Sequence, residues 1–494
     1  MVRFARQPWR NRAPFLQYSA FRTVLAGVVA LLPTLYLLYK EDYGILITMM
    51  ALLGFLLLDL RSKEAAVLGL FAFLILLGDI RRIATQFTGA RGLDPLLLVG
   101  TAFSIYLAIP LLLKMRLKDP LSKAVLALMV VMILQIFNPR QGPLIVGISG
   151  SLFTLFPLLW FWIGRRYGSD RMLFLLFFRV VLPLGVLCAL LGIYQTFIGF
   201  FPWEEAWAKS MGSAYRLTYH GNLRPFGFSN SGVEYGSLLL ISAVLIIGAF
   251  MSKRRAYVLV FPVVGAAMVL SAMRGPIVRV IFAAAIMWAV QGKNVRAWVP
   301  RLVFGLLLGV GLMTFSATRA AAGDEQPTGR RSTANIASAR VANGLAHPFE
   351  QKYSTGGMHA DIAFAAVKSG FTTPVGSGLG ATTLGAGKFG GEQGVSGSSE
   401  IDISDAFYTL GFLGGILYLS IIYFVMRATP QFLRSGPRSS RLTTVGVLAA
   451  LLGAWIALGQ YATAPFAWFC IGAMVRDIQG ETEMALAHED AIKA

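Results

Sequence analysis

Long apolar runs separated by short polar turns recur along most of the chain, and each run is close to the roughly 20 residues that cross a bilayer as a helix. The runs predict spans near Phe21–Leu38, Gly44–Leu60, Ala65–Ile80, Pro95–Leu113, Leu121–Phe137, Pro143–Gly164 and Met172–Phe200. Seven more are predicted near Val233–Met251, Tyr257–Ala272, Pro276–Val290, Leu302–Phe315, Ala406–Val425, Thr443–Leu458 and Ala462–Val475. The predicted fold is therefore all-α, a polytopic membrane protein of about 14 transmembrane helices. The basic N-terminus leads into an apolar run that is followed directly by another span, which is not the layout of a cleavable signal peptide.

One long segment breaks the pattern. Residues 317–403 are polar, hold Asp324, Glu325, Arg330, Arg331, Arg340, His347, Lys352, His359 and Asp361, and then turn glycine-rich from Gly370 to Gly397. Three acids, Glu400, Asp402 and Asp405, close the segment as the next apolar run begins. Loops of this length are functional or disordered. The spacing after Met358 is helical, so a large, partly helical loop is expected. The organisation predicted is N-terminal spans over residues 1–316, the large loop over 317–403, C-terminal spans over 404–476 and a tail over 477–494.

Charge assigns sides to the loops. Every second loop is basic: Arg61/Lys63, Lys114/Arg116/Lys118, Arg165/Arg166/Arg171, Lys253/Arg254/Arg255, Lys293/Arg296/Arg301 and Arg427/Arg434/Arg438/Arg441. Basic loops stay cytoplasmic, so both termini are expected in the cytoplasm and the large loop outside, in the periplasm. The chain is 56% hydrophobic and 14% charged, with a net charge of +20. Because most of that charge sits in retained loops, it does not point to nucleic acid. Cys188 and Cys470 lie in apolar runs, and His220, His347, His359 and His488 have no ligand spacing; neither a disulfide framework nor a metal or other cofactor is expected.

The basic residues on the other side are the informative ones. Arg81, Arg82, Arg91, Arg140, Arg216, Arg224, Arg274 and Arg340 gain nothing from the inside bias. A guanidinium pairs bidentately with phosphate oxygens, so an outer cluster suits a phosphate-bearing lipid; the alternative is contact with headgroups. Arg179 and Arg279 fall deep in spans, where snorkelling or bonding to carbonyls is the plain reading. In Asn222-Leu-Arg-Pro-Phe-Gly-Phe-Ser-Asn230, Pro225 and Gly227 make a turn that aims Arg224. Ser271-Ala-Met-Arg-Gly-Pro276 sets Arg274 in a tight turn. In Phe371-Thr-Thr-Pro-Val-Gly-Ser-Gly-Leu-Gly380, Gly376 and Gly378 allow close approach of backbone to a ligand. Leu410-Gly-Phe-Leu-Gly-Gly415 follows.

These motifs, in this order, resemble the O-antigen ligase and O-antigen/exopolysaccharide polymerase superfamily of bacterial inner-membrane glycosyltransferases. Gln135-Ile-Phe-Asn-Pro139 is similar to a further turn of that family, and the resemblance covers residues 135–415. It implies a substrate linked to undecaprenyl pyrophosphate, with Arg224 and Arg274 holding the pyrophosphate leaving group without a metal. Ligases of the family carry a histidine before the Gly-x-x-Gly; here Glu400 and Asp402 occupy that region, which favours a polymerase, while His359 or His220 is available from elsewhere. The catalytic set implied is Arg224, Arg274, Glu400, Asp402 and His359. The substrate-binding set is Arg140, Arg216, His220, Asn230, Glu234, Arg340, Gly376 and Gly378. Glu234 is also a candidate base, and the plain alternative for Asp402 is a cap on a helix beginning near Asp405. Expected partners are the lipid-linked oligosaccharide and the bilayer, with a chain-length regulator and a flippase as further candidates. A ligase, or a lipid-linked oligosaccharide flippase, is the alternative.

Overall fold

The computed structural model describes residues 43–88, 94–114, 117–211, 218–219, 222–292, 295–322, 333–347, 356–390, 401–456 and 462–476. The predicted first span and the tail from residue 477 lie outside these. The described chain is helical apart from a two-residue antiparallel pairing of Thr218–Tyr219 with Asn222–Leu223.

The helices are α1 Tyr43–Arg61, α2 Lys63–Thr88, α3 Leu96–Leu113, α4 Pro120–Ile136, α5 Leu144–Tyr167 and α6 Asp170–Phe197. There follow α7 Pro202–Met211, α8 Gly232–Met251, α9 Phe261–Leu270, α10 Gly275–Ala289 and α11 Trp298–Ala322. The polar segment supplies α12 Thr333–Ala346, α13 Gly356–Thr372 and α14 Leu384–Phe389, and the chain continues through α15 Asp402–Arg434, α16 Arg438–Ala450 and α17, residues 463–476. Among the described residues six helices are long and apolar enough to cross a membrane: α1, α3, α5, α6, α8 and α15. The predicted runs at 121–137, 257–272 and 276–290 form apolar helices or helical stretches of 10–17 residues, shorter than about 20 residues, and the run at 302–315 lies within α11. The run predicted at 443–458 leaves the helix after Ala450.

Local chemistry explains the ends. Asp119 caps α4, accepting from Ser122 N at 2.6 Å, with Pro120 at the first helical position. Ser169 caps α6 and Ser231 caps α8. α6 carries a π turn over Leu176–Val181, in which Arg179 is exposed. α8 is the most enclosed of the six, with 83% of its apolar window buried; α9, α10, α16 and α6 surround it.

Contacts between distant loops sort them into two ends. At the basic end, Arg165 meets Asp119 at 3.6 Å and donates to Ser122 Oγ at 2.8 Å. Arg441 donates to both carboxylate oxygens of Asp170, at 3.2 and 3.1 Å. At the opposite end, Arg82 donates to Ser229 O, and Glu234 accepts from both Asn230 N and Ala462 N.

Candidate functional site

The chain between α7 and α8 is held by three side chains from other helices. Gln195 of α6 accepts from Phe226 N and Gly227 N at 3.0 and 2.9 Å, and donates to Glu204 Oε1 at 2.8 Å. Arg82 of α2 donates to Ser229 O at 2.7 Å and Gly227 O at 2.6 Å, reaches Asp79 at 3.2 Å, and stacks over the Phe226 ring with 4.5 Å to its centroid. Arg81 pairs with Asp94 and donates to Asn230 Oδ1 at 2.7 Å. Gly227 takes φ +51°, and a Cβ there would lie 2.4 Å from Cys188 Sγ, so the turn needs a glycine. Glu204 accepts from Phe201 N at 3.0 Å; burial holds its pKa above the ordinary glutamate value, against the backbone hydrogen bond from Phe201 and the charge of Arg82.

This corrects the reading of Arg81 and Arg82 as part of an outer phosphate seat. Both are buried, at 3% and 0% exposure, and their donors go to the protein's own carbonyls and carboxylates. The sequence could not show that a backbone lies over them.

Asn230 and Glu234, taken from the sequence as substrate-binding, are also buried. Glu234 accepts from Asn230 N and Nδ2, both at 2.9 Å, and from Ala462 N at 3.3 Å. It thereby ties the start of α8 to the start of α17. Beneath it lies a small recess lined by Ser229, Glu234, Thr463, Phe71, Leu238 and Phe466 among others.

Arg224 and Arg274 converge on the first turns of α8. Arg224 is half-buried, and its Cδ stands 4.0 Å from where a Cβ on Gly232 would be. One turn along, a Cβ on Gly236 would meet Met273 Sδ and Pro276 Cγ at 3.1 Å, so the turn bearing Arg274 packs on the same helix end. That turn is strained: Ala272 has φ +56°, a conformation rare for a residue with a Cβ. Arg340 of α12 is within electrostatic reach of Arg274. Burial first, and the positive charge of Arg340 second, hold Arg274 below the ordinary arginine pKa.

Arg279, more than one turn further along α10, feels the charge of Asp402. Asp402 is buried, accepts from Tyr418 Oη at 2.9 Å and from Ile456 N at 2.8 Å, and donates its N–H to Gly453 O at 3.1 Å. The alternative of Asp402 as a cap on a helix beginning near Asp405 is corrected: α15 begins at Asp402 itself, and that side chain is spent on Tyr418 and on the chain after α16. A break at Gly411, φ 73° and ψ −166°, separates 402–410 from the rest of α15 and lets Asp402 reach a tyrosine 16 residues on.

The glycine stretch lies between that break and the turn after α4. Asn138 Nδ2 donates to Gly376 O at 3.1 Å, Gln141 Oε1 accepts from Gly380 N at 2.8 Å, and Gln135 Nε2 donates to Val375 O. Ser377 N and Gly378 N donate to Tyr408 O and Thr409 O at 2.9 and 3.0 Å. A Cβ on Gly376 would sit 2.5 Å from Gly411 N, and one on Gly378 2.8 Å from Gln141 Cβ. The close approach these two glycines allow is to the protein's own chain. Arg140 is exposed on the short helical turn Pro139–Gln141 beside this cradle.

His359 is half-buried on α13, apart from the Arg224–Arg274 turns in sequence. Arg216, His220 and Glu400 lie outside the described residues. Tyr418, Gln195 and Glu204 went unread because nothing in their spacing marks them; Arg279 stood out as a charge in an apolar run, without a partner to explain it. Among the described residues no group of three or more His, Cys, Asp and Glu could hold a metal ion.

Fold and site together define an all-helical protein with several bilayer-length apolar helices and an arginine-lined end. A scan against protein-family models and a comparison with curated proteins found no match.

Proposed function

We propose that the protein is a bacterial inner-membrane glycosyltransferase that polymerises oligosaccharide repeat units linked to undecaprenyl pyrophosphate, making O-antigen or exopolysaccharide. The supporting observation is the convergence of two turns far apart in sequence: those of Arg224 and Arg274 both pack on the first two turns of α8, with Arg340 beside Arg274. In this reading the termini are cytoplasmic, and the arginine end and the polar segment face the periplasm.

The chemistry needs two things. An acceptor hydroxyl oxygen attacks the anomeric carbon, the bond from that carbon to the pyrophosphate oxygen breaks, and the pyrophosphate leaves on its lipid. Fixed guanidinium groups stabilise the charge that grows on the leaving group. The hydroxyl proton passes to a carboxylate or imidazole, for which Glu400 and His359 are the candidates, since Asp402 is buried on Tyr418 and Ile456 N. Attack opposite the leaving group inverts the anomeric centre, and no metal is required.

The test is incubation of the purified protein with a lipid-linked repeat unit, with products sized on a gel. A ladder is expected; transfer of a single unit to a lipid A-core acceptor would instead make it a ligase. Arg224→Ala and Arg274→Ala should each lower the rate roughly 100-fold or more, with Lys rescuing little because it lacks the fork. Near-wild-type ladders from both alanine variants would overturn the reading.

A further inference from the structure

Helix α13 has three faces. Gly370 packs on Phe407, where a Cβ would fall 2.8 Å from the ring, and Ala366 is buried; this side docks along α15. Asp361 and Lys368, seven residues apart, are exposed and share a second stripe. Ala360, Phe364, Val367 and Phe371 form a third, at the i, i+4, i+7, i+11 spacing of one helix side. Phe364 is 74% exposed and Phe371 58%.

That apolar stripe does not end in solvent-facing polar residues. Phe371 stacks on Phe407 at 5.7 Å and meets Phe412 edge-on at 5.2 Å. Phe412 opens the outward stripe of α15: Phe412, Ile416, Leu419, Tyr423 and Met426 are all exposed, at the spacing of one face of a helix long and apolar enough to cross a membrane. The bare side of α13 is therefore continuous with a surface that bilayer acyl chains cover. A helix with an apolar stripe flanked by charge, joined side-on to a span at its non-basic end, has the layout of an element lying in the membrane interface.

We propose that α13 is a membrane-interface helix, its Phe364–Phe371 stripe seated in the acyl chains of the leaflet at the arginine end and its Asp361–Lys368 stripe turned to the headgroups and water. The seat fixes the depth of the polar segment. The inference needs α15 in the bilayer but not the polymerase reading, since it makes no use of activity.

The test places an environment-sensitive thiol-reactive fluorophore at Phe364→Cys or at Asp361→Cys in the full-length protein, in nanodiscs of phosphatidylcholine without substrate. Both native cysteines are buried and fully enclosed, and the wild-type protein taken through the same reaction gives the background to subtract. At position 364 the emission should be blue-shifted, quenched by lipids brominated near the headgroup end of the chain, and shielded from aqueous iodide. At position 361 iodide should quench and bromolipid should not. Equal iodide quenching at the two positions would overturn the proposal. So would shielding of position 364 from both quenchers, the result for a protein partner or a closed groove. Quenching at 364 strongest from bromines at the chain ends would also overturn it, because the helix would then lie deeper than the interface.

Discussion

Replacing Gly411 with alanine asks whether the break in α15 organises the glycine end of the molecule. Gly411 sits at φ 73°, ψ −166°, a conformation reached almost only by glycine. Holding an alanine there costs about 1–3 kcal/mol. The new Cβ would also stand 2.0 Å from Pro374 O and 2.7 Å from Gly376 N. Neither is the tip of a flexible side chain, so two backbones must separate. The separation threatens three hydrogen bonds, Phe412 N to Pro374 O at 3.1 Å, Ser377 N to Tyr408 O at 2.9 Å and Gly378 N to Thr409 O at 3.0 Å. Each contributes about 1 kcal/mol net. Strain and lost bonds together come to about 4–6 kcal/mol, a large part of the roughly 5–15 kcal/mol that holds a protein folded.

The assay is thermal unfolding in detergent, followed by the loss of the monodisperse size-exclusion peak. Gly54→Ala is the control. It lies inside α1 with nothing within 4 Å of a Cβ, so the change should be neutral or stabilise by about 0.5–1 kcal/mol. Gly411→Ala should melt well below wild type and Gly54→Ala at or slightly above it. If the two variants melt together, the break at Gly411 is not holding the glycine stretch against α15.

Arg82→Ala should destabilise by about 3–5 kcal/mol, because it strands the buried carbonyls of Ser229 and Gly227; Arg82→Lys should recover part of this, and a melting temperature unchanged by the alanine would refute the brace. Glu204 has a folded-state pKa raised by burial, so the folded state binds the proton more tightly than the unfolded one. Its contribution to stability is therefore most favourable below the ordinary glutamate value near pH ~4.3 and is lost as pH rises through the raised pKa; thermal melts across that window should show a decline that Glu204→Gln flattens, and an equal slope in both proteins would refute it. A cysteine at Ser354, in the polar segment outside the described residues, should react with a membrane-impermeant reagent added to the periplasm; labelling only after lysis would overturn the sidedness.

Arg82 and Arg224 show how far a sequence can be read here. Both are arginines on the same side by loop count, and both qualify for an anion seat by that criterion alone. What separates them is which one the chain 222–230 covers. Arg82 lies under that chain, with its donors used on carbonyls 145 and 147 residues away; no local pattern reports a pairing of that range. The apolar runs were legible because hydropathy is a property of each run alone. Helix length was less legible. Ala450 and Leu451 are as apolar as the residues before them, yet the chain leaves the helix there, and the turn that follows supplies Gly453 O and Ile456 N to Asp402. A buried carboxylate needs such partners, and satisfying it takes backbone that a straight span would keep in its own hydrogen bonds. The same reasoning applies at Gly376 and Gly378. Their glycines read from sequence as room for a ligand, whereas the atoms that fill that room are Gly411 N and the Gln141 side chain. In this fold irregular backbone packs on the start of α15 at two places, the glycine stretch and turn after α4 near Gly411 and the turn after α16 at Asp402. Polar side chains from several helices are needed to satisfy it, and Gln135, Asn138, Gln141, Tyr418 and Asp402 provide them.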